Sequence, residues 1–189
     1  MKNITISDLH AKWDMIVVGG GISGAGIFRE AASLGLSVLL LEQKDYAWGT
    51  SSRSSKLVHG GFRYLKQAQL GLTHNAVVHR QRLLDEGPGL VEPLKFLMPV
   101  FEGQKTGKWM LSAGFMVYDL MAFKYQHRFY KHSEFLELMP MVREEELKGG
   151  FQFQDARTDD VRLVLRLIRE GIEAGGTALN YVKIVDILR

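Results

Sequence analysis

Gly19, Gly21 and Gly24 stand at G-x-G-x-x-G spacing, and a carboxylate, Glu42, follows about twenty residues later. Together these residue types suit a dinucleotide. Gly19 permits a tight turn, Gly21 lets the backbone approach a pyrophosphate, and Gly24 lets a helix pack close to a strand, while the helix N-terminus offers unpaired N–H groups to the anion. Glu42 is placed to accept hydrogen bonds from ribose hydroxyls, and its charge disfavours a ribose carrying a 2′-phosphate. NADP is therefore disfavoured and NAD or FAD remain. A second group lies just beyond: Thr50, Ser51, Ser54 and Ser55 supply hydroxyls, Lys56 a charge, and His59, Arg63 and Tyr64 an imidazole, a fork donor and a phenol.

The elements that must position these groups are legible around them. Met15–Val18 is short, apolar and β-branched, which predicts a buried parallel strand; a helical pattern follows the glycines, and residues 37–41 predict a second strand ending at Glu42. Strand, turn, helix, strand and terminal acid form one βαβ unit, against which a plain crossover with a glycine-rich turn is the bland alternative. Residues 43–55 read as a loop. By composition that loop is a solvated turn, but it leaves the carboxyl end of the second strand, where ligands of open α/β sheets bind. Gly60-Gly61 breaks any helix and allows a flat ring to approach.

At 189 residues and 46% hydrophobic composition the chain can bury a sizeable core. It has no cysteine, which excludes disulfides, thiolate metal sites and a redox-active cysteine pair. A net charge of +3, with basic residues scattered along the chain, argues against a nucleic-acid partner. The first twelve residues are polar and mixed, unlike a secretory signal, and no run of eighteen apolar residues offers a membrane span.

Further along, residues 70–86 have helical spacing, with His74, His79, Arg80 and Arg82 read as its polar positions; no ligand set completes the histidines, so no metal is expected. Residues 94–101 read as an edge strand because Pro99 interrupts it. Residues 105–130 are aromatic and Met-rich. They read as a buried helix or, with Trp109, Met110, Phe115 and Met116 flanked by basic residues, as an interfacial membrane contact. Ser133 is a plausible cap for a short helix, and Phe151 and Phe153 alternate with glutamines as in an exposed strand. Thr158, Asp159 and Asp160 cap an amphipathic helix that ends at Gly175-Gly176, and residues 178–188 read as a last strand joining the first sheet.

The block TSSRSSKLVHGGFRYLK, residues 50–66, resembles the signature of the quinone-linked, FAD-dependent (aerobic-type) glycerol-3-phosphate dehydrogenases. GGGISGAG (19–26) and RTDDVRLVL (157–165) fit the same family. The one departure in the block is Phe62, where leucine is usual. The resemblance implies an α/β fold: a Rossmann-like FAD/NAD(P)-binding domain of the glutathione-reductase/amine-oxidase type, incomplete, with inserted helical and strand elements. It implies that residues 1–189 are the N-terminal part of one FAD-dependent oxidoreductase domain. Its parts are the FAD-binding unit 13–42, the signature 50–66 and a partial substrate-side region at about 90–155.

By the same resemblance Gly19, Gly21, Gly24 and Glu42 hold the ADP half of FAD, with Ile22, Ser23 and Gln43 as further cofactor-binding positions. Thr50, Ser51, Ser55, Lys56, Leu57 and His59 run past the flavin end, and Arg63 and Tyr64 lie beside the substrate, Arg63 facing its phosphate. The implied activity is oxidation of sn-glycerol 3-phosphate to dihydroxyacetone phosphate with electrons passed to a quinone, by a flavoprotein of glycerol metabolism lying peripherally at the inner face of the cell membrane. No residue is identified as the catalytic base, and self-association into a homo-oligomer is left open. Two alternatives stand beside this: a truncated, catalytically inert nucleotide-binding fragment, and another flavin oxidase acting on an amine or hydroxy acid.

Overall fold

The computed structural model describes residue 9 and residues 12–61, 69–104, 107–122 and 127–187. In chain order its elements are β1 (Met15–Val18), α1 (Ile22–Ser33), β2 (Val38–Leu41), β3 (Leu57–Val58), α2 (Leu70–Glu86), β4 (Val91–Phe101) and α3 (Lys108–Ala122). They continue with β5 (Arg128–Lys131), α4 (His132–Leu138), β6 (Leu147–Thr158), α5 (Asp160–Glu173) and β7 (Thr177–Leu179). Two compact units result, Met1–Lys56 with Asp159–Arg189, and Leu57–Thr158.

The first unit is a parallel sheet in the order β1-β2-β7, with β2 central. Val38, Leu39 and Leu40 are all buried, the continuous apolar run that a central parallel strand requires. β1 lies at the edge, and here the expectation of a fully buried strand fails: Val17 is buried but Ile16 and Val18 are more than half exposed, because a single layer covers only one of its faces. α1 and α5 pack on that layer around Phe28, with Ala25, Ala31, Val164 and Ile168. Gly171 and Gly176 make room for the Phe28 ring, since a Cβ at either would lie 2.5–2.6 Å from it. Arg29 closes the rim with an ion pair to Glu170 at 2.6 Å. The last strand is shorter than its apolar sequence predicts. β7 ends at Leu179, and residues 182–187 are irregular although the Val182 N–H still bonds the Glu42 carbonyl.

The second unit is antiparallel. The long strand β6 pairs with β4 on one side and with β3 and β5 on the other. Its central place explains why Phe151 is buried, where alternation with glutamines suggested an exposed strand. β4 carries Pro93 and Pro99 and is an edge strand, as a residue without an N–H requires. Along α3 the spacing i, i+4, i+7, i+8 buries Leu111, Phe115, Tyr118 and Asp119, with Phe115 packed on Phe151 and Phe153. The opposite stripe, Trp109, Met110, Met116 and Leu120, is exposed. The helix is thus neither wholly buried nor wholly interfacial, and Phe115 belongs to the inner face. α4 starts one residue before Ser133: Lys131 is its N-cap, and the Glu134 carboxylate accepts the Lys131 N–H.

Candidate functional site

The glycine turn between β1 and α1 is built as its spacing predicts. Gly19 has φ +108°, a conformation that side chains rarely tolerate, and its N–H donates to the Leu41 carbonyl at 2.8 Å. A Cβ on Gly24 would meet the Gly19 carbonyl oxygen at 1.9 Å, so the helix sits on the turn at a separation only glycine allows. At Gly21 such a Cβ would meet, among the described residues, the Ser51 hydroxyl oxygen at 3.1 Å. The first turn of α1 has no side-chain cap of its own; instead the Ile22 N–H donates to Ser51 Oγ at 2.9 Å. Glu42, at the end of β2, accepts the Gly20 N–H at 2.7 Å through Oε2 and the Lys44 N–H at 2.8 Å through Oε1.

Two amides of the turn therefore meet side-chain oxygens, one neutral and one anionic, the acceptor types that a ribose hydroxyl or a phosphate would also offer. Gly20, outside the fingerprint, is also sterically required: a Cβ there would lie 2.7 Å from the Tyr46 ring and 3.0 Å from Glu42. Burial, aided by Asp45 and Glu42, pushes the Tyr46 phenol up to about 12, so it covers the turn in its neutral form.

The hydroxyl-rich loop contains a 3₁₀ turn at Thr50–Ser52 and is held by Arg53, whose guanidinium donates to the Trp48 and Gly49 carbonyls. Its end is latched to the N-terminus of α5. Lys56 Nζ lies 2.5 Å from Asp160 Oδ1, and the Ser54 hydroxyl donates to Asp160 Oδ2 at 2.8 Å. The Lys56 and Ser54 hydrogen bonds hold the Asp160 carboxyl down at about 2.

A folded-state value below the ordinary one, roughly 3.9, fixes the sign of the pH dependence. The latch contributes fully above about pH 4 and is lost as the pH falls toward 2. Replacing Asp160 with Asn should flatten the pH dependence of the urea midpoint across that window. Parallel curves for the two proteins would show that the latch carries no stability. Asp159 keeps the capping role expected of it, accepting the Arg162 N–H at 3.1 Å.

In the second unit a buried ionic cluster supports the His59-Gly60 turn. Asp155, on β6, accepts the Gly60 N–H through Oδ1 at 2.8 Å, and the same oxygen lies 3.3 Å from Arg80 Nη1. Arg80, 1% exposed, also donates to the Tyr118 hydroxyl at 2.7 Å and to the Gln154 carbonyl at 3.0 Å. Burial pushes the Tyr118 phenol well above its usual value against the pull of Arg80, so the acceptor is a neutral hydroxyl. Gly60 has no room for a side chain, since its Cβ would lie 1.7 Å from Tyr118 Oη.

The first unit thus brings together Gly19, Gly21, Ile22, Gly24, Glu42 and Ser51. Ser23 and Gln43 are exposed beside them, and Thr50 opens the 3₁₀ turn. Ser55 is exposed, Lys56 is committed to Asp160, Leu57 pairs with Arg157, and His59 is exposed beside Asp155. Arg63 and Tyr64 lie outside the described residues. Sequence reasoning missed Arg80, Tyr118 and Asp155. Arg80 was assigned to the polar side of its helix, whereas Thr73, Val77 and Arg80, at i, i+4 and i+7, form the buried stripe. That spacing was the available signal. Leu72, an apolar residue of the same helix, is half exposed. Among the described residues no helix is long and apolar enough to cross a membrane, and no three carboxylates or imidazoles are grouped to hold a metal ion.

The family model described as FAD dependent oxidoreductase matches residues 14–189. The aerobic glycerol-3-phosphate dehydrogenase of Staphylococcus epidermidis is 40% identical over 175 residues, covering 91% of this chain and 31% of the relative; that of Staphylococcus aureus is 39% identical over the same span. The chain therefore spans about a third of the length of these relatives. Among solved structures, glycerol-3-phosphate dehydrogenase from Bacillus halodurans, complexed with FAD, superposes with TM-score 0.67 at 32% identity, covering 95% of this chain and 28% of that one. L-proline dehydrogenase from P. horikoshii superposes with TM-score 0.68 at 18% identity, over 95% of this chain and 47% of that one, a likeness of fold alone.

Proposed function

Because this chain belongs to the family of FAD-dependent oxidoreductases, we propose that its first unit grips the ADP half of FAD. In this reading the whole protein oxidises sn-glycerol 3-phosphate to dihydroxyacetone phosphate and passes the electrons to a quinone. The observation that carries the cofactor assignment is the cradle, in which Gly20 and Ile22 amides point at the oxygens of Glu42 and Ser51. The residues fit the group: glycine at Gly21 leaves the turn open to a pyrophosphate, and Glu42 stands where the ribose hydroxyls would be bonded. Gly19, Gly21, Ile22, Ser23, Gly24, Glu42 and Gln43 hold the adenosine side, and Thr50, Ser51, Ser55, Lys56, Leu57 and His59 lead toward the ring. The bound flavin supplies the electron-accepting chemistry, and the protein supplies position and charge.

The substrate assignment draws on the dehydrogenases that share about two-fifths of this sequence. Arg63 is assigned to the substrate phosphate, because a planar guanidinium fixes such a group by two parallel hydrogen bonds, with Tyr64 beside it. Peripheral contact with the inner face of the cell membrane belongs to the same reading. It draws on the exposed stripe Trp109, Met110, Met116 and Leu120 next to Lys108.

The test is a visible-absorption titration of the purified chain with FAD, followed by anaerobic addition of glycerol 3-phosphate. A flavin band that forms and then bleaches is the expected result for a competent site; the absence of any bound flavin sinks the cofactor assignment for this chain. Glu42→Ala should weaken FAD binding about 10- to 100-fold, the worth of hydrogen bonds to a charged group. Unchanged affinity would remove Glu42 from the ribose site.

A further inference from the structure

Asp155 is a buried carboxylate that no part of the cofactor grip uses, and its two oxygens have different tasks. Oδ1 accepts the Gly60 N–H and faces Arg80 Nη1. Oδ2 faces the His59 ring, with Nδ1 3.6 Å away. At that distance the contact is electrostatic and short of a hydrogen bond. Its sign is nonetheless fixed, because a carboxylate oxygen attracts an N–H and repels a ring lone pair. The neutral His59 ring is therefore held with its proton on Nδ1. Nε2, on the opposite side of the ring, is left as an acceptor, and the side chain is 62% exposed.

We propose that Asp155 is a positioning residue that fixes His59 in the tautomer presenting Nε2 as a hydrogen-bond acceptor to an N–H donor. The physical logic is that of a buried acid orienting an imidazole through the nitrogen that does not meet the ligand. Arg80 and Tyr118 brace the acid. Gly60 lets the turn lie flat on them, because any side chain there would collide with Tyr118.

The test reads the tautomer directly, by two-bond ¹H–¹⁵N correlation spectra of the ¹⁵N-labelled chain at about pH 8, where histidine is neutral. The chain has six histidines, so His59→Gln identifies the signal. The expected pattern is a protonated Nδ1 and a bare Nε2; a His59 signal protonated mainly on Nε2 overturns the proposal.

Asp155→Asn sharpens the result. Gly60 and Arg80 demand an acceptor at Oδ1, so the Asn amide nitrogen takes the place of Oδ2 and donates to Nδ1, which should invert the tautomer. A folded variant with an uninverted signal overturns the role of Asp155. The tautomer alone decides the role of Asp155, whether or not the chain binds FAD, so the proposal and the cofactor reading fail separately.

Discussion

Gly24→Ala should cost the first unit about 2 kcal/mol or more and abolish FAD binding. The added Cβ would stand 1.9 Å from the Gly19 carbonyl oxygen and 3.1 Å from its carbonyl carbon. That backbone cannot give way cheaply, because Gly19 is fixed at φ +108° and tied to Leu41. α1 would have to lift off the turn, carrying the Ile22 amide away from Ser51. The intrinsic preference of a helix for alanine over glycine, about 1 kcal/mol, works in the opposite direction and is too small to compensate.

Gly26→Ala, in the same helix, is the matched control, because its Cβ would meet nothing within 4 Å among the described residues. It should be neutral or stabilising by up to about 1 kcal/mol. Urea denaturation and an FAD titration of both variants decide the point. A Gly24→Ala protein that binds FAD like the parent would mean that the close approach of helix and turn is not what shapes the cradle.

Arg80→Met should destabilise the second unit by about 3–5 kcal/mol. The loss comes less from the interactions of Arg80 than from what remains: Asp155, 6% exposed, would lose its guanidinium partner and keep, among the described residues, the Gly60 amide and an imidazole 3.6 Å away. The Tyr118 hydroxyl would also lose its donor. Neutralising the acid as well, in Arg80→Met with Asp155→Asn, removes the uncompensated charge and should recover about 1–3 kcal/mol relative to additivity. A double-mutant cycle in urea measures that coupling; strict additivity would mean that the pair contributes nothing specific.

The two cases differ in how far the sequence foretold them. The requirement for glycine at Gly19 and Gly24 was legible, because turn, strand and helix lie within ten residues and the geometry of a βαβ crossover is local. The strands flanking it, the helix α2 from Leu70 to Glu86, the edge strand marked by Pro99 and the Asp159 cap were legible for the same reason. Each follows from periodicity, capping or a missing N–H within one element.

The acidic partner of Lys56 was not legible. Lys56 was read as charge available to a cofactor, yet its ammonium sits on Asp160, 104 residues away in sequence. The partner of Arg80 is 75 residues away, and the polarity of Arg80 suggested a solvated face.

What the sequence determined by itself is therefore the local machinery: a βαβ unit, its glycine turn, the acid at the end of its second strand, and through the block from Thr50 to Lys66 the family to compare it with. Only the tertiary structure decided which charged groups are buried, which oxygens meet the turn amides, and which strand is central. The physical reason is that backbone conformation is set by neighbours along the chain, whereas burial and the pairing of a charge depend on whichever distant segment packs against it. Strand β6 illustrates this: the same alternation of Phe and Gln serves an exposed edge or a buried centre, and its neighbours β3, β4 and β5 make it the centre.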